Sequence, residues 1–74
     1  MSEIGKRIGH RIKIRRAVLE MSQAKLAQAL GITQGYLSYM ERGDRPIDTE
    51  MLNQIAQALN CEADDLLNEK RKLA

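Results

Sequence analysis

The 74-residue chain has no phenylalanine or tryptophan, two tyrosines, one histidine and one cysteine. Each scarcity removes a class of structure. With almost no aromatics, and with no stretch where β-branched residues alternate with polar ones over a strand length, there is no strand signal. Cys61 has no second cysteine to pair with and no metal-ligand cluster around it in sequence, so neither a disulfide nor a structural zinc is expected. That usage suits a reducing compartment, and the expected location is cytoplasmic. A lone His10, no paired carboxylates for acid–base work and no phosphate-cradling glycine loop leave no active site, so neither an enzyme nor a cofactor is expected. Long apolar runs are missing too. The segment MSEIGKRIGH carries a charge every few residues and is expected to be neither a signal peptide nor a membrane span.

What the chain does have is helical patterning and uneven charge. Its length permits one modest core, and the expected organisation is a single domain over 1–74, with its core at about 4–68 and a short basic tail at 69–74. Net charge is only +2. Before Ser22, however, Lys6, Arg7, Arg11, Lys13, Arg15 and Arg16 stand against Glu3 and Glu20. From Pro46 to Glu69 there is no Lys or Arg, and Asp48, Glu50, Glu62, Asp64, Asp65 and Glu69 are acidic. This asymmetry predicts a basic face suited to phosphates and an acidic pole suited to a protein contact, or else ordinary solvated helix surfaces.

The pattern predicts an all-α bundle of five helices. The first runs from Ser2 or Glu3 to Glu20, with Ile4, Ile8 and Ile12 one turn apart and Ala17 or Leu19 continuing the buried side. Gly5 and Gly9 weaken its first turns. The second and third occupy SQAKLAQALGITQGYLSYMERG, Ser22 to Gly43. Ser22 caps the second helix, Leu26, Ala27 and Leu30 form its apolar stripe, and Gly31 supplies a left-handed turn. Thr33 restarts the chain. Leu37 and Met40 then face inward, while Gln34, Gly35, Ser38, Tyr39 and Arg42 lie on polar faces and Gly43 ends the helix. A fourth helix starts at the cap Asp48, buries Leu52, Ile55, Ala56 and Leu59, and ends at Asn60. The fifth covers roughly Ala63 to Lys70 and buries Leu66, with Leu67 a second candidate for its inner side. Apolar pairs five residues apart span four helix starts, Met21/Leu26, Ile32/Leu37, Ile47/Leu52 and Cys61/Leu66, which is hydrophobic-staple spacing. The layout from Ser22 to Gly43 reads as two helices and a sharp turn, the second able to lie in a DNA groove.

The segment RIKIRR, the run SQAKLAQALGIT, the pattern Q-x-x-L-S-x-x-E-R-G, and IAQAL followed by DDLL together resemble the Cro/repressor type of helix-turn-helix, the Xre-like regulators of bacteria and phages. The match covers about Ile8 to Leu67. It implies a compact five-helix bundle of the lambda-repressor-like type and operator recognition by a homodimer on double-stranded DNA. Carried over by position, Gln23, with Ser22, would hold a phosphate at a helix N-terminus. Gln34 would read an adenine edge. Thr33, Gly35, Ser38 and Tyr39 would share that face, Tyr36 would reach a phosphate or simply pack, and Arg42 and Arg45 would grip the backbone. Arg16 would pair with Glu41 and stay partly available to DNA, and Arg11 joins the expected DNA contacts.

For the dimer, the expected seam is the fifth helix with Leu66, Leu67 and Cys61, together with Leu73. Cys61 is alternatively a small buried apolar residue. Four positions depart from the family pattern. Gly35 falls where relatives carry a base-contacting side chain. Glu20 replaces a common glycine, and Arg15 and Ile14 exchange the usual apolar and polar positions, which implies a rotated or exposed first helix there. The function implied is that of a repressor or restriction–modification controller. The alternative is a protein-interaction module, an antirepressor or antitoxin component, whose partner the sequence does not name.

Overall fold

Isoleucines one turn apart decide which side of the first helix turns inward. In the computed structural model, which describes residues 3–67, α1 (Glu3–Val18) buries Ile8 and Ile12. It is followed by α2 (Gln23–Leu30), α3 (Gln34–Arg42), α4 (Thr49–Ala58) and α5 (Ala63–Leu67), and no strand occurs among the described residues. The tail, Leu73 and the expected continuation of the fifth helix to Lys70 lie outside the described residues. α1 packs on α3 and α5, α2 on α3 and α4, and α4 on α5. Leu26, Leu37, Met40, Ile55, Leu59 and Leu66 fill the space between them with no exposure. No helix among the described residues is long and apolar enough to cross a membrane.

Polar residues set the helix starts. The side-chain oxygens of Ser22, Thr33 and Asp48 accept from the N–H groups of Lys25, Tyr36 and Met51 at 3.0, 3.1 and 2.8 Å. Each such cap contributes about 1 kcal/mol. The apolar residue before each cap, Met21, Ile32 and Ile47, and likewise Cys61, packs partly buried against the core as the staple spacing requires. Left-handed residues end the helices: Gly31 at φ 70, Gly43 at φ 80 and Asn60 at φ 55. Glu20 also turns left-handed, at φ 54. It performs the turn that a glycine would make without a side-chain penalty.

Two expectations are corrected. On α1 the buried stripe is shorter than its periodicity suggests: Ile4 is 66% exposed, and Ala17 and Leu19 also face solvent. Helical spacing alone does not bury these residues. Leu66 is completely buried within the subunit and is core, not part of a dimer seam. Cys61 is half-buried against the same core, and burial pushes its thiol above the ordinary range. Leu67 alone of the three expected seam residues is exposed.

Candidate nucleic-acid interface

The turn between α2 and α3 is closed by its own backbone. Gly31 N–H donates to the Gln28 carbonyl at 3.2 Å and Ile32 N–H to the Ala27 carbonyl at 3.0 Å. α3 leaves this turn with Leu37 and Met40 anchored in the core, so its opposite side has to face solvent. Gln34, Gly35, Tyr36, Tyr39 and Arg42 are exposed there, and Ser38 is half-buried. A Cβ added to Gly35 would have no atom within 4 Å. The glycine therefore serves no internal packing and leaves bare backbone on the exposed face.

Beneath that face runs a chain of hydrogen bonds through three helices. Arg16 on α1 donates in two-pronged fashion to Glu41 on α3, Nε to Oε2 at 2.7 Å and Nη2 to Oε1 at 2.9 Å, and its Nη1 donates to the Met21 carbonyl at 2.9 Å. The pair is well shielded, with side-chain exposures of 13% and 4%, and the Glu41 hydrogen bond raises the affinity of Arg16 for its proton. Gln23 Nε2 on α2 then donates to Glu41 Oε1 at 3.1 Å. That bond fixes which way the Gln23 amide points. Its oxygen accordingly accepts from Gln34 Nε2 at 3.3 Å, so the orientation of the Gln34 amide derives from a buried charge pair.

Along α3, arginines from its last turn and beyond lie on tyrosines. The Arg42 guanidinium sits 4.7 Å from the Tyr39 ring centroid and that of Arg45 5.8 Å from Tyr36. Stacking of this kind restrains long side chains on an open surface. α1 closes in behind this end. A Cβ on Gly9 would run into the backbone carbonyls of Met40 and Glu41, and one on Gly43 would meet Lys6. Lys6, exposed, is thereby brought beside the turn carrying Arg42 and Arg45, a neighbour that sequence separation concealed.

Of the expected DNA contacts, Ser22, Gln23, Thr33, Gln34, Gly35, Tyr36, Ser38, Tyr39, Arg42 and Arg45 fall on α2, α3 and their flanking turns. Ser22 and Thr33 already use their hydroxyls as caps. Arg16 lies under the face, engaged with Glu41. Arg11 is turned elsewhere: its Nε and Nη2 donate to the Asp65 carbonyl of α5 at 3.0 and 2.9 Å. Arg15 does the same for α4, donating to the carbonyls of Leu59 and Asn60 at 3.0 and 3.2 Å. At the C-terminus of α4 such a cation satisfies carbonyls that lack intrahelical partners. This explains an arginine where an apolar residue was expected, while Ile14 is 39% exposed.

An exposed short helix, fixed by a turn to a second helix and backed by a basic first helix, defines a helix-turn-helix domain. A family model described as helix-turn-helix matches residues 12–66, and the chain belongs to this family, in its Cro/repressor type. It is 42% identical over 53 residues to an uncharacterised HTH-type transcriptional regulator of Sinorhizobium medicae, which covers 72% of this chain and 38% of the relative. It is 32% identical over 66 residues to antitoxin PezA of Streptococcus pneumoniae, covering 89% of this chain and 42% of the antitoxin. The chain thus spans about two fifths of each of these relatives. Among solved structures it resembles the restriction–modification controller protein C.AhdI of Aeromonas hydrophila, with TM-score 0.78, 30% identity and coverage of 82% of this chain and 92% of that one. It also resembles the P22 c2 repressor in complex with a synthetic operator, with TM-score 0.75, 34% identity and the same coverages.

Proposed function

We propose that the chain acts as a cytoplasmic transcriptional regulator that binds an operator in double-stranded DNA as a homodimer, with α3 of each subunit in a major groove. The observation that carries this reading is the fixed Gln34 amide on an exposed face. With one N–H given to Gln23, Gln34 keeps its oxygen and a second N–H, the acceptor–donor pair that matches N6 and N7 of adenine. Gln23 and Ser22 at the start of α2, with Arg42 at the end of α3 and Arg45 beyond it, then hold phosphates and set the register. Bare backbone at Gly35 lets the helix come close to the bases. Similarity to an operator-bound repressor supports the DNA partner.

Dimensions support the homodimer reading. A subunit measures 29 × 27 × 19 Å, less than the roughly 34 Å between successive major grooves on one side of DNA, so two half-sites need two copies. Exposed Leu67 on α5 supplies an apolar contact for the seam. Selection from a random duplex pool, followed by footprinting, tests the proposal. An enriched two-fold-symmetric sequence is expected, with half-sites about one helical turn apart.

The antitoxin relative favours a second reading, in which α4 and α5 bind a protein partner. Glu50 and Asp64 are exposed on these elements, and Glu62 in the turn between them. No enriched sequence at low salt, with intact capture of a partner, would favour it.

A further inference from the structure

The turn that ends α3 brings a carboxylate to the edge of the proposed DNA face. Gly43 turns left-handed, and Asp44 N–H donates to the Tyr39 carbonyl at 2.8 Å, which folds Asp44 back over the last turn of the helix. There Asp44 Oδ2 accepts from Arg42 Nε at 3.2 Å, while Arg42 Nη1 donates to Ser38 Oγ at 2.9 Å and the guanidinium lies over Tyr39. Arg42 is therefore held by its own chain through a carboxylate, a hydroxyl and an aromatic face. The carboxylate offers the guanidinium the same kind of charged, multidentate acceptor as a DNA phosphate. Side-chain exposures of 55% and 36% leave the pair open to solvent, where such a pair is weak enough to exchange.

Resting on the DNA reading above, we propose that Asp44 is a specificity-determining residue, an internal phosphate surrogate that keeps Arg42 on loosely held DNA and yields it on the operator. On random duplex the protein samples many registers, and a passing phosphate competes with a carboxylate tethered two residues away at high effective concentration. Arg42 stays with Asp44. On the operator, Gln34 and Gln23 fix the register, a phosphate stands beside the guanidinium, and Arg42 transfers to it. Asp44 thus removes one phosphate contact from non-specific binding and leaves the specific complex its full set.

The test is a double-mutant cycle on the full chain. Affinities of wild type, Asp44→Ala, Arg42→Ala and the double variant are measured on random duplex and on selected duplex across salt concentrations. Asp44→Ala should tighten random duplex and steepen its log affinity against log salt by about 0.9, an extra loss of roughly threefold between about 50 and 200 mM. The slope on selected duplex should not change, and the effect should vanish when Arg42 is alanine. An equal effect of Asp44→Ala with and without Arg42 would reduce Asp44 to a general negative charge. An unchanged slope on random duplex would mean that Arg42 already reaches a phosphate there. Either result overturns the surrogate. Failure of the wild type to bind any duplex is distinct from both, since it removes the DNA reading and the surrogate with it.

Discussion

Glu41 connects stability to the proposed reading face, because one carboxylate holds Arg16 and orients Gln23, which in turn orients Gln34. Glu41→Ala should destabilise the domain by about 3 kcal/mol, since it strands a shielded guanidinium, and urea unfolding followed by circular dichroism measures this. A loss under about 0.5 kcal/mol, the range of ordinary surface substitutions, would show the pair to be dispensable. The pairing of Arg16 with Glu41 was legible through family resemblance. Its continuation to Gln23 and Gln34 was not, because it depends on rotamers meeting across 18 and 11 residues. Composition shows that Arg11 is basic but not where it points, and the Asp65 carbonyl draws it to α5.

Local chemistry made most element boundaries legible: the three caps, the staples and the left-handed stops at Gly31, Gly43 and Asn60 all act where the pattern put them. Burial along α1 was less legible, because a helical stripe is covered only where a neighbouring helix lies against it. Gly9 is instructive. As a helix residue it reads as a weak point, yet it is the place where α1 touches the backbone of α3. Gly9→Ala should therefore cost about 1–3 kcal/mol through overpacking against rigid carbonyls. Gly35→Ala, with open space around it, should leave stability unchanged or raise it by about 0.5 kcal/mol while altering DNA affinity. Thermal melts of the two variants distinguish them, and equal destabilisation would contradict the packing assigned to each.

For the whole molecule, the charge asymmetry and the helix order were visible in sequence, but the outward side of α5 was not. Leu66 and Leu67 are adjacent and chemically identical, and only the packing of α5 on α1 and α4 decides that Leu66 is core and Leu67 is exposed. Leu67→Glu should therefore leave helical content intact while shifting sedimentation at micromolar concentration from dimer to monomer. A wild type that is monomeric both free and on DNA would exclude the seam. Recognition itself should reside in α3, independently of how the copies associate. The decisive comparison is the affinity of wild type and Gln34→Ala for selected and random duplexes at one salt concentration. A loss of about 1–3 kcal/mol on the selected duplex, with little change on the random one, is expected of a base-reading amide. Equal loss on both would contradict it.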